Sequence, residues 1–60
     1  MGEAKLEYYT RADGDYGWTL HAGNGEPVCH SEGYKNREDC MATARRVASG
    51  AYAAAREVWS

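Results

Sequence analysis

Sixty residues carrying seven basic and nine acidic side chains, a net charge of −2 and two cysteines make one small domain, residues 1–60. A chain this short hides only about 60% of the surface its unfolded form exposes, so its core needs a crosslink, a metal or a second subunit. Cys29 and Cys40 allow one bridge at most, far below the cysteine density of secreted mini-proteins. The charges are scattered, no apolar run approaches the ~20 residues of a membrane span, and the first residues lack a signal-peptide core. The expectation is a soluble, cytoplasmic protein that touches no membrane and is supported by self-association.

Taken in order, residues 5–11, KLEYYTR, are rich in aromatic and β-favouring types and read as a first strand. Leu6, Tyr8 and Thr10 share one face, with Lys5, Glu7 and Tyr9 on the other. Asp13-Gly14 marks a turn, and residues 16–22, YGWTLHA, form a second strand with Tyr16, Trp18, Leu20 and Ala22 on one side. A two-residue loop at Asp13-Gly14 would bury Glu7 beside Leu20, whereas one residue more buries Leu6 there. Burying leucine costs less than burying a carboxylate, so the longer loop is expected. Asn24-Gly25 signals a type I′ hairpin that sets Leu20 opposite Cys29 and Trp18 opposite Ser31, making residues 27–31 a short third strand. Pro27 lacks an N–H and belongs at a strand start or on an edge.

Gly33 lies in the connection to a helix, Tyr34 is placed to staple its entry, and Asn36 is a favoured N-cap followed by Glu38 and Asp39. From there Cys40, Met41, Ala44, Val47, Ala48, Ala51, Tyr52, Ala55, Val58 and Trp59 recur with helical period. Gly50 can end a helix, yet the apolar steps keep phase across it, and a mid-helix glycine costs only about 1 kcal/mol against alanine. The reading is one long helix over residues 37–59 that covers the three strands. The expected core is Leu6, Tyr8, Trp18, Leu20, Ala22, Cys29, Cys40, Met41, Ala44 and Val47. Such a helix runs ~34 Å while strands of about six residues run ~20 Å. Its last turns should therefore overhang the sheet and present Ala51, Tyr52, Ala55, Val58 and Trp59 to a second copy.

Together LEYYT, Trp18 and Leu20 within YGWTLHA, NGEPV, SEGY at residues 31–34, and Lys35-Asn36-Arg37 leading into a helix with Cys40 resemble the YegP-like family, small bacterial and archaeal domains of unknown function. The resemblance runs over about residues 6–47. It implies an antiparallel sheet of three strands covered by one helix. It also implies that two such units pair, as tandem repeats or, where a chain holds one unit, as a homodimer. No activity, cofactor or catalytic residue comes with it.

Chemistry-bearing residues are few. His21, His30 and Glu32 share the outer sheet face, but without a close ligand spacing they read as solvated strand residues rather than a metal site. Cys29 and Cys40 can meet in the core, where a reduced pair of small apolar groups is the expectation for a cytoplasmic protein. No acid, base and nucleophile converge, so no enzyme and no cofactor are expected. The leading reading is a homodimeric protein-interaction module, of a kind that serves in stress responses. The alternative is weak nucleic-acid binding by Lys5, Tyr9, Thr19 and His21 on the outer face with Arg37, Arg45, Arg46 and Arg56 of the helix. Glu7 and Glu32 oppose the positive field this would need, which disfavours nucleic acid.

Overall fold

The computed structural model describes residues 3–52 and 54–60, and the side chain of Ala51 lies outside what is described. Three strands, β1 (Lys5–Thr10), β2 (Tyr16–His21) and β3 (Pro27–Tyr34), precede one helix, α1 (Arg37–Val47). A short 3₁₀ turn (Gly50–Tyr52) then leads into a further strand, β4 (Arg56–Trp59). The sheet has four strands in the order β3-β2-β1-β4, with β4 parallel to β1 and the other pairs antiparallel. The fold is α+β as read from the sequence, but the three-stranded sheet and the long C-terminal helix are both corrected.

The first hairpin follows the burial argument. Leu6 pairs with Leu20 and Tyr8 with Trp18. Arg11 N–H donates to the Asp15 carbonyl at 2.7 Å and Gly14 N–H to the Arg11 carbonyl at 2.9 Å, which closes a loop of Ala12, Asp13 and Gly14. Gly14 takes a positive φ of 92°, the left-handed position such loops reserve for glycine.

The second hairpin reaches the expected pairing by another route. No residue but glycine has positive φ among the described residues, so Asn24 cannot occupy a type I′ turn. Instead Ala22 N–H donates to the Glu26 carbonyl at 2.8 Å, enclosing Gly23, Asn24 and Gly25 in a loop of the same kind as the first. That shifts the register by one residue. An irregularity between Leu20 and His21 leaves Val28 as the extra residue and restores Leu20 opposite Cys29 and Trp18 opposite Ser31. A second irregularity, with Gly33 as the extra residue, lets β3 continue to Tyr34, beyond the expected end at Ser31.

Helix α1 begins after Asn36, whose side chain makes no capping bond to the backbone and donates to Asp39 at 3.1 Å. It ends at Val47 rather than passing through Gly50, which adopts a left-handed φ of 80°. The alternative that glycine offers has won because the chain beyond it gains sheet pairing and an aromatic stack. Arg56 N–H donates to the Ala4 carbonyl and Ser60 N–H to the Tyr8 carbonyl, each at 2.9 Å, and Trp59 stacks on Tyr8 with ring centroids 4.9 Å apart. In-phase apolar steps were compatible with a strand over this length, since four residues cannot separate the two periods. With the helix stopped there, the overhang disappears.

The core comprises Leu6, Tyr8, Trp18, Leu20, Cys40, Ala44 and Ala48. Cys29 and Met41 are only partly buried against it, as are Tyr52, Ala55 and Trp59 of the C-terminal segment. Ala22, also expected inside, follows β2 and is half-buried. Val47, expected in the core, is 46% exposed because Ala48 takes the inward place at the end of α1.

Candidate interaction surfaces

Two surfaces arise from the way β4 joins the sheet. On the helix side, Glu57 reaches under the last turn of α1. Arg45 grips it with both arms of the guanidinium, Nε to Oε1 at 2.7 Å and Nη2 to Oε2 at 3.1 Å, and the buried Tyr8 hydroxyl donates to Oε1 at 2.5 Å. These donors hold the Glu57 carboxyl below its ordinary range, Arg45 first and Tyr8 second. Burial, then the bond to Glu57, pushes the Tyr8 phenol well above its ordinary value. The three groups satisfy one another, leaving no free base.

Beside this cluster lies a half-open cleft of about 310 Å³, lined by Leu6, Ala48, Tyr52 and Ala55 with Arg45 and Glu57 at its rim. It exists because α1 packs chiefly on β2 and β3. A helix about 10 Å across covers roughly two strands spaced ~4.8 Å apart, so the β1–β4 half lacks a helix above it. At the other end of that half, Trp59 lies between Tyr8 and the Arg37 guanidinium, 4.4 Å from the ring centroid, and Tyr16 meets it edge-on. Its Nε1 is buried without a hydrogen-bond partner among the described residues.

The outer face of the sheet carries no helix. Its register places Arg56, Lys5 and His21 in one row across β4, β1 and β2, then Val58, Glu7, Thr19 and His30, then Tyr9, Gly17 and Glu32. His21 turns Nε2 to Glu7 at 3.2 Å and Nδ1 to the Gly25 carbonyl at 3.3 Å, while Arg11 approaches Glu32 at 3.5 Å. His21 and Glu32 are thus drawn to different partners, and among the described residues no three His, Cys, Asp or Glu side chains cluster. Tyr9 reaches across Gly17, where an added Cβ would stand 2.7 Å from its ring. Both thiols are free, and burial raises that of Cys40. No helix among the described residues is long and apolar enough to cross a membrane.

Of the residues expected to meet a second copy, Tyr52, Ala55 and Trp59 lie on the helix side of β4 and Val58 on the outer side. The side chain of Ala51 is outside the described residues. The Tyr8–Glu57–Arg45 cluster is not legible in the sequence, because Glu57 falls outside the apolar stripe of a helix over residues 37–59. The β-favouring pair Val58-Trp59 beyond a glycine was the available signal.

Residues 12–57 match the family described as "Domain of unknown function (DUF1508)". The chain belongs to this family. DUF1508 is the YegP-like group whose motifs the sequence carries, and no activity is attached to it. Among curated relatives, a UPF0339 protein of Neisseria meningitidis serogroup B and one of serogroup A are each 41% identical over 36 residues. The match covers 60% of this chain and 64% of each relative, so it spans less than two thirds of their length. No solved structure matches the chain.

Proposed function

We propose that this DUF1508 chain is a homodimeric, cytoplasmic interaction module that acts by association rather than catalysis. The observation that carries the reading is the asymmetry of the two sheet edges. Along β3, Pro27 removes a donor and the extra residues Val28 and Gly33 break the ladder on either side of Cys29–Glu32. Proline and bulges are how sheets guard an edge against pairing. Strand β4 carries neither, and the cleft opens beside it.

A second copy lying along β4 would extend the sheet and cover the cleft. The residues expected at the interface, Tyr52, Ala55, Val58 and Trp59 with Ala51, then gather about one edge, three described ones on the helix side and Val58 on the other. The mutual satisfaction of Tyr8, Arg45 and Glu57 supports a structural rather than catalytic use of those groups.

Light scattering on a size-exclusion column tests this. A dimeric mass at micromolar concentration is expected, with Val58→Lys, which puts a charge beside the free edge, shifting the protein toward monomer. A monomeric wild-type chain throughout the micromolar range refutes it.

A further inference from the structure

The outer sheet face carries a feature unrelated to the dimer. Strand β4 sets Arg56 beside Lys5 in the register, on the same face. Like charges on neighbouring strands repel, and neither cation has a carboxylate partner among the described residues. On the other flank of Lys5 the register sets His21, whose ring nitrogens face Glu7 and the Gly25 carbonyl, so the cations of this row without a carboxylate partner among the described residues are Lys5 and Arg56. This row could not be read from the sequence, where Arg56 belonged to a helix. Across this face Glu32 faces Arg11 and Glu7 faces His21, which leaves Lys5 and Arg56 as the cations without a carboxylate partner among the described residues, although the chain as a whole carries −2.

Four residues along β1 from the cationic row is Tyr9. Its ring reaches over Gly17, and the residue is only half-buried, which leaves a ring surface open. An aromatic on a central strand of an open sheet is a platform on which bases stack, and cations nearby take the phosphates. Four residues of strand measure about 13 Å. That gap separates the platform from the row by more than the reach of one nucleotide, so it suits a strand with several phosphates.

We propose that the open sheet face, with Tyr9 as the stacking platform and Arg56 and Lys5 as the phosphate contacts, binds single-stranded nucleic acid. Binding is electrostatic in its steering and sequence-tolerant, because every base has a face to stack and no base-edge reader stands on the platform.

The test is fluorescence anisotropy with labelled single-stranded RNA and DNA of about 12 nucleotides, long enough to span the distance from Tyr9 to the cationic row. Saturable binding is expected in 50 mM salt. With two phosphate contacts, affinity falls roughly 7-fold on going to 200 mM. Lys5→Gln with Arg56→Gln should weaken binding at least tenfold and flatten the salt slope. Tyr9→Ala should weaken it fivefold or more with little change of slope, and Tyr9→Phe should restore it. Lys35→Gln, an exposed cation at the entry to α1 outside the proposed site, should bind as wild type, and melting curves verify that each variant is folded. A preference for RNA or DNA would distinguish the two sources of the same chemistry. Absence of saturable binding to both in 50 mM salt overturns the proposal. So does an equal loss in Lys35→Gln, and so does displacement by an acidic peptide at equal charge concentration, which would assign the face to a protein partner.

Discussion

Replacing Gly50 with alanine separates a helix that stops from one that runs on, because the two predict opposite signs. Gly50 sits at φ +80°, and a Cβ built there meets nothing within 4 Å, so the substitution acts through the backbone alone. An alanine held in the left-handed region costs about 1–2 kcal/mol. In a domain of this size each kcal/mol moves Tm by roughly 4–8 °C, so Gly50→Ala should melt about 4–16 °C lower. Had residues 37–59 formed one helix, the same change would remove a helix-interior glycine and add about 1 kcal/mol of stability. Thermal unfolding followed by far-ultraviolet circular dichroism reads both sign and helix content. A variant that melts higher with a stronger helical signal refutes the break at Gly50 and the fourth strand that depends on it.

Other predictions concern the groups β4 brings together. Glu57→Gln should cost about 1 kcal/mol at pH 7 in urea denaturation, a figure already discounted for solvent screening of the partly exposed pair. The folded carboxyl is held below its unfolded value, so this stability is present above the unfolded pKa and is lost as pH falls through the folded one. Wild type and Glu57→Gln should therefore converge in stability as pH falls below the ordinary glutamate range, and a constant gap would refute the linkage. In alkaline absorbance titration one of the five tyrosines should lag, and Tyr8→Phe should remove that late component. Gly17→Ala should destabilise by about 1 kcal/mol, although alanine ordinarily serves a strand better than glycine, because the Tyr9 ring must leave its place. Cys40 should resist a thiol reagent until the chain unfolds, whereas the partly exposed Cys29 should react in the native state.

Local chemistry was legible wherever one face of an element had to be dry. The first hairpin followed from the cost of burying Glu7 in place of Leu6, and Tyr8, Trp18, Leu20, Cys40 and Ala44 went inside for the same reason. The second hairpin kept its inner pairs through two offsetting irregularities, because the apolar alternation constrains which residues face inward more tightly than it constrains the turn. The candidate surfaces were less legible. Lys5, Tyr9 and His21 could be assigned to one face from alternation alone, but Arg56 could not join them.

The sequence by itself determined the α+β class, the two hairpins, the start of α1 and the inward face of β1 and β2, all of which rest on contacts between near neighbours or on periodicity. Tertiary structure decided the fate of residues 50–60. A helix with a glycine at Gly50 and a strand beside β1 differ locally by only about 1 kcal/mol. The balance is set by partners distant in sequence, Tyr8 some fifty positions from Trp59 and Glu57, and Arg45 twelve from Glu57, which local propensity cannot weigh.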